Sequence, residues 1–209
     1  MEFPEEEDAV MMRRCFEIAR LACQRHEVPY AAVIGRGGAV LCESANCAVA
    51  DHDATRHAEL VAISKAERVL RSVSLDDYTL YSIVEPCPMC AYAIRETRIP
   101  RVVYSLRSPV MGGHSRWNIL GDENLAKAIP EVFVPPPIIV AGYMSKEAAE
   151  VLHGWNPLFW QIIKTRHLVL ECAEQRPNSA SVKKSAGGGP RQCAAALLRR
   201  YIVDRIRRR

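Results

Sequence analysis

From Asp8 to Trp155 the chain switches repeatedly between stretches with helical periodicity and short apolar runs, and that alternation limits its fold more than any other feature. DAVMMRRCFEIARLACQRH places Met11, Cys15, Ile18 and Ala22 near helical spacing and predicts an amphipathic helix. YAAVIG and AVLCESA flank Arg36-Gly37-Gly38, the pattern of a β-hairpin. HAELVAISKAERVL predicts a helix from its good helix formers and from Leu60, Ile63 and Val69 or Leu70. After it, YTLYSIV, CPMCAYAIRE, RVVYSL, RSPVMGGHSRWNILGD and PIIVAGYM read as strand, helix, strand, long loop and strand. SKEAAEVLHGW is a further helix, which Pro157 breaks or restarts before LFWQIIKTRHLVLE. Strands alternating with helices imply an α/β domain whose sheet carries helices on both faces.

Composition sets the scale of that domain. With 209 residues, 49% hydrophobic and 25% charged, the chain has the makeup of a soluble globular protein with one substantial core. No run of about 18 apolar residues occurs, and MEFPEEEDAV is acidic where a targeting peptide is basic, so a cytoplasmic protein without a membrane segment is expected. Eight cysteines, scattered apart from one Cys-x-x-Cys pair, fit a reducing compartment better than a disulfide framework.

The net charge of +4 is unevenly placed. Residues 171–209 hold ten Lys or Arg against three acids, so residues 1–170 hold eighteen against twenty-one, a net of −3. The division expected is a folded domain over 1–170, followed over 171–209 by a Gly/Ser/Pro-containing linker and basic tail, either solvated or an RNA-binding arm. A slightly acidic body gives weak support to wide phosphate tracking.

The chemistry is therefore sought in the body, where His57 and Glu59 begin one predicted helix and Cys87 and Cys90 begin another. A catalytic zinc takes three protein ligands and keeps its fourth position for water. His57, Cys87 and Cys90 make three. Cysteines three apart on a first helical turn face one side, and the helix N-terminus favours their thiolates. Glu59, two residues from a ligand, is badly placed to bind the same ion but can exchange protons with the water. Zinc lowers the pKa of that water to about 7, so the set points to hydrolysis at an electrophilic carbon.

HAE followed by PCPMC resembles the zinc-dependent cytidine/deoxycytidylate deaminase superfamily, whose His-x-Glu and Pro-Cys-x-x-Cys signature is matched here. The resemblance runs from about residue 8 to residue 168. VPYAAVI, Asn46 in ESANC, DATRHAE and EPCPMCAYAIRETRIPRVVYS are similar to the tRNA adenosine deaminase and guanine deaminase branch. It implies a three-layer α/β/α fold with a central mixed sheet of about five strands, one Zn2+ per chain and a homodimer. It also implies that His57, Cys87 and Cys90 hold the metal, that Glu59 is general acid and base, and that Asn46 contacts the substrate. Backbone at Ala58 is a further candidate to meet the base. Against this stand milder readings: His52 as a loop residue, Cys42 and Cys47 as packed thiols, and Asn46 as a turn residue.

The substrate is less constrained. Guanine deaminases of this type carry an acidic IGFDD-like segment after the RVVY strand and the tRNA enzymes carry TGAAGS, whereas this chain has SPVMGGHSRWNILGD. Trp117, with His114 and Asn118 nearby, is a candidate to line the pocket and stack on a flat ring, or else core. Phe159 and Trp160 read as core of a C-terminal helix. Three functions are open: deamination of a small-molecule base, nucleoside or related amino-heterocycle; deamination of adenosine to inosine in tRNA; and a silent member that only binds a partner. The presence of Glu59 argues against the last.

Overall fold

The computed structural model describes residues 5–25 and 27–172, so most of the basic tail expected at 171–209 lies outside the described residues. Five strands, β1 (Ala31–Arg36), β2 (Ala39–Ala45), β3 (Thr79–Val84), β4 (Arg101–Leu106) and β5 (Ile138–Ala141), form one sheet in the order β2-β1-β3-β4-β5. Strand β1 runs antiparallel to β2 and β3, and β3, β4 and β5 run parallel, so the sheet is mixed as expected. The expected hairpin forms through Gly37 and Gly38, both at positive φ (58° and 76°), a conformation that costs glycine little.

Both faces of the sheet are covered, which is why its strands read as near-continuous apolar runs. On one face Ala31, Val33, Tyr81, Ile83, Val103 and Val140 pack with Met11, Cys15 and Phe16 of α1 (Glu5–Cys23) and with Ala148 and Leu152 of α5 (Ser145–Trp155). On the other, Ala32, Ile34, Leu80, Val102 and Tyr104 pack with Ala62, Ile63 and Ala66 of α2 (Ala58–Leu70) and with Ala91 and Ile94 of α3 (Pro88–Glu96). The period-2 alternation of strand side chains sends successive residues into these two cores.

One buried ion pair crosses the layers. The Arg101 guanidinium at the start of β4 grips Asp8 of α1 through two hydrogen bonds of 2.6 Å, and the Tyr81 hydroxyl donates to the same carboxylate at 3.1 Å.

Three details differ from the sequence reading. The long connection after β4 holds a short helix, α4 (Glu123–Ala128), with no buried residue. It escapes a periodicity test because ENLAKA buries no apolar face. The strand expected over PIIVAGYM is shorter, ending at Ala141, where Gly142 turns the chain at φ 80°. The last helix, α6 (Pro157–Thr165), starts at Pro157 as expected, capped by Asn156. It stops at Thr165, and Arg107 and Leu170 then pair as an isolated antiparallel bridge.

Candidate active site and metal centre

The residues of interest gather where β3 ends, beyond the carboxyl edge of the parallel strands, where α/β sheets characteristically leave room for ligands. His57 is the N-cap of α2 and Cys87 the N-cap of α3, with Pro88 at the first helical position. Neither end has a side-chain cap hydrogen bond, and the positive ends of both helix dipoles lie beside the site. Proline at that position costs nothing, since its missing N–H would have had no helical partner. Cys90 follows on the first turn of α3 and is fully buried.

The donor atoms form a nearly equilateral triangle. Cys87 Sγ lies 3.5 Å from His57 Nδ1 and 3.6 Å from Cys90 Sγ, and Cys90 Sγ lies 3.6 Å from His57 Nδ1. With ordinary Zn–S and Zn–N bonds, tetrahedral coordination demands edges of about 3.8 Å between sulfurs and about 3.5 Å between sulfur and nitrogen. The triangle fits one zinc. Among the described residues only these three side chains form such a group, so the fourth position stays available. Cys42 is packed in the core and the Cys47 thiol donates to the Ala45 carbonyl at 3.4 Å, so neither closes the site. His52 sits in an exposed turn at φ 48°.

The three donors are electrostatically coupled to one another. The contact with Cys90 pulls the Cys87 thiol down to about 4, aided by His57, while the same contact and burial push Cys90 up. Its hydrogen bond with Cys87 raises His57.

Glu59, on the first turn of α2, is buried, and its Oε2 lies 3.6 Å from Cys90 Sγ. Its Oε1 is 3.0 Å from the hydroxyl of Ser82, which also contacts the Val84 carbonyl at 2.8 Å. Burial pushes the Glu59 carboxyl above its ordinary range.

A cavity of about 310 Å³ opens onto this group. His57, Glu59 and Cys87 line it with Asn46 and Ala58. Asn46 is buried and donates from Nδ2 to Glu27 Oε2 at 2.9 Å, while Glu27 also accepts from the Ala50 amide at 2.7 Å. This anchoring fixes the amide, with Nδ2 committed to Glu27. Of the four expected positions outside the histidine–cysteine set, Glu59, Asn46 and Ala58 meet at the cavity and Trp117 does not. Trp117 is 58% exposed, stacked near Arg116 at 5.4 Å, and absent from the lining. Its neighbour His114 is instead held by the Tyr104 hydroxyl at 2.8 Å.

Sequence reasoning missed most of the apolar lining. Phe159, Ile162 and Ile163 of α6 face the cavity with Arg166, Leu168, Val169 and the loop residue Met111. Spacings of three, four and seven along α6 were the available signal. That stripe reads equally well as core, and Trp160 and Ile163 are indeed buried in the core.

Comparison with known proteins agrees with this geometry. Residues 5–106 match the family described as the cytidine and deoxycytidylate deaminase zinc-binding region. The chain is 34% identical over 126 residues to a tRNA-specific adenosine deaminase of Streptococcus pyogenes, covering 60% of this chain and 79% of that one. It is 33% identical over 160 residues to the chloroplastic tRNA(adenine(34)) deaminase of Arabidopsis thaliana, 72% of this chain but only 12% of the plant protein's length. A solved structure from work on A-to-I editing by tRNA:A34 deaminases at the wobble position superimposes with a TM-score of 0.60 at 32% identity, over 68% of this chain and 98% of that one. The chain belongs to the cytidine and deoxycytidylate deaminase zinc-binding family.

Proposed function

We propose that this chain is a zinc-dependent hydrolytic deaminase that replaces the exocyclic amino group of a nucleobase, nucleoside or related amino-heterocycle by oxygen and releases ammonia. The observation that carries the reading is the buried Glu59 carboxyl directly beside a three-donor His57, Cys87 and Cys90 triangle that leaves one coordination position free. Zinc held by those donors supplies Lewis acidity that makes water a nucleophile near neutral pH.

The protein's own groups do the rest. Ser82 tethers Glu59 Oε1, leaving Oε2 toward the donor triangle. Glu59 takes one proton from the attacking water and delivers it to a ring nitrogen, then passes the second to the departing amine, so that water and C–NH2 become C=O and NH3. Asn46, anchored by Glu27, presents its amide to the substrate, and the first-turn amides of α2 near Ala58 donate to acceptors on the ring edge. The apolar residues of α6 exclude water from the flat faces of the ring.

A second reading, adenosine to inosine in tRNA, is supported by the activities named for the relatives and by the basic residues beyond 173. In either case the working unit is a deaminase domain over about residues 1–170, acting as a homodimer. The seven free cysteines among the described residues fit a reducing cytoplasm.

The test is ammonia release by the zinc-loaded protein from adenine, guanine, cytosine, their nucleosides, small amino-heterocycles and bulk tRNA, with Glu59→Ala as blank. Release from a small compound supports the first reading and release only from tRNA the second. Silence across the panel, with zinc bound, overturns both.

A further inference from the structure

We infer that Glu85 is a positioning residue for the proposed reaction: its buried carboxylate locks the loop from Ser108 to Ser115 onto the metal-bearing turn and so shapes the substrate cavity. The role rests on the deaminase reading above. Glu85 follows β3 directly and stands two residues before Cys87, with its own amide donating to the Leu106 carbonyl at 2.8 Å. Its side chain is almost wholly buried, at 3% exposure, and its hydrogen-bond partners in the loop are all donors. Oε2 accepts from the Ser108 amide and the Ser115 hydroxyl, both at 2.8 Å. Oε1 accepts from the His114 amide at 3.0 Å and from the Ser115 amide. Four N–H or O–H donors thus take the place of water around a buried charge, an arrangement that is stable only while the loop stays closed around it.

The fit on the loop side leaves no slack. A Cβ added at Gly112 would fall 2.1 Å from Glu85 Oε1, and one at Gly113 would fall 2.4 Å from the Ala91 side chain of α3. The Gly113 amide also donates to the Pro86 carbonyl at 2.8 Å, so the loop is pinned on both residues that precede Cys87. From there the lock extends outward. The Ser108 hydroxyl donates to the Leu168 carbonyl at 2.8 Å, and Arg107 and Leu170 exchange backbone hydrogen bonds of 2.9 and 2.8 Å. Ser108, Met111 and Leu168 all line the cavity with Glu85 and Cys87. One carboxylate therefore ties the turn that carries a metal ligand to the loop and to the segment after α6, which together supply much of the remaining lining.

A glutamine at position 85 has one acceptor oxygen and an NH2 group that faces two of the four donors, so Glu85→Gln breaks at least half the lock while leaving the three metal donors untouched. Gly112→Ala attacks the same contact from the loop. The experiment measures three things on the full chain: amide hydrogen exchange at Ser108, His114 and Ser115, zinc per chain, and kcat and KM for ammonia release from the compounds turned over by the unaltered protein. In both variants exchange at those amides is expected to rise by about tenfold or more. Zinc is retained, and KM rises about tenfold with kcat changed less than about threefold. In a Glu85→Ala background, where the clash has been removed, Gly112→Ala is expected to add no further effect on KM. Unchanged exchange, loss of zinc, or a lowered melting temperature with an unchanged KM would each overturn the proposal. If Glu85→Gln does not fold, Gly112→Ala carries the same test. Silence of the unaltered protein on every substrate refutes the deaminase reading, and the exchange measurement then decides the lock by itself.

Discussion

The Ser82 hydroxyl stands between two acceptors, 3.0 Å from Glu59 Oε1 and 2.8 Å from the Val84 carbonyl. It has a single hydrogen, so it serves both only when Glu59 is protonated and donates back. Ser82 therefore orients the carboxyl in both of the states a proton shuttle must visit.

Removing that hydroxyl tests the arrangement. Ser82→Ala is expected to lower kcat/KM by about 10- to 100-fold, the range set by losing a hydrogen bond to a charged group. Zinc content should be unchanged, because Ser82 touches no metal donor. Steady-state ammonia release paired with metal analysis checks this, and an unaltered rate would remove Ser82 from the mechanism.

The Asp8 and Arg101 pair makes a prediction about stability. Both side chains are essentially buried, at 1% and 2% exposure, and Tyr81 shares the carboxylate. Asp8→Ala leaves a buried guanidinium without its carboxylate and is expected to cost about 3 to 5 kcal/mol. Replacing both at once, with Asp8→Leu and Arg101→Met, should recover much of that loss. Urea unfolding of the two variants beside the unaltered protein checks the order, and a single variant no less stable than the double one would contradict it.

His114 predicts a pH dependence. Burial lowers its pKa, with Arg107 acting in the same direction and Glu85 opposing, and the Tyr104 hydroxyl meets its Nδ1 at 2.8 Å. The folded protein therefore holds the neutral ring. Above the unfolded pKa of about 6.5 both states are neutral and nothing is lost; as pH falls below it the unfolded chain takes up a proton first, and stability drops. Thermal melts at pH 7.5 and pH 5.5 should show a larger fall for the unaltered protein than for His114→Gln. Equal falls would mean the ring carries no such linkage.

The α6 stripe makes a fourth. Ile162 lines the cavity yet is 43% exposed, so Ile162→Asp introduces a charge beside the substrate without emptying the core. The melting temperature should move little while KM rises by about tenfold or more, because the charge opposes binding of an apolar ring face. A KM within twofold of the original would separate α6 from substrate binding.

What could be read from the residues alone follows a physical line. His57, Glu59, Cys87 and Cys90 were legible because their spacing is local: each pair shares one helical turn, and a zinc site constrains residue type as well as position. The strands were legible because burial on both faces makes them apolar throughout. Asn46 depends on Glu27, and Glu85 depends on Ser108, His114 and Ser115, partners 19 to 30 residues away that only tertiary folding assembles. Phe159 and Trp117 show the limit from both sides. Phe159, expected as core, packs against the core and lines the cavity as well, while Trp117, expected as a base platform or as core, is neither and lies exposed.

The most direct test of the central claim is metal analysis of the purified protein beside Glu59→Ala and Cys87→Ala. About one tightly held zinc per chain is expected in the unaltered protein and in Glu59→Ala, with loss of the metal in Cys87→Ala. A protein that holds no zinc, or a Cys87→Ala variant that keeps it in full, would contradict the metal centre on which the proposed chemistry stands.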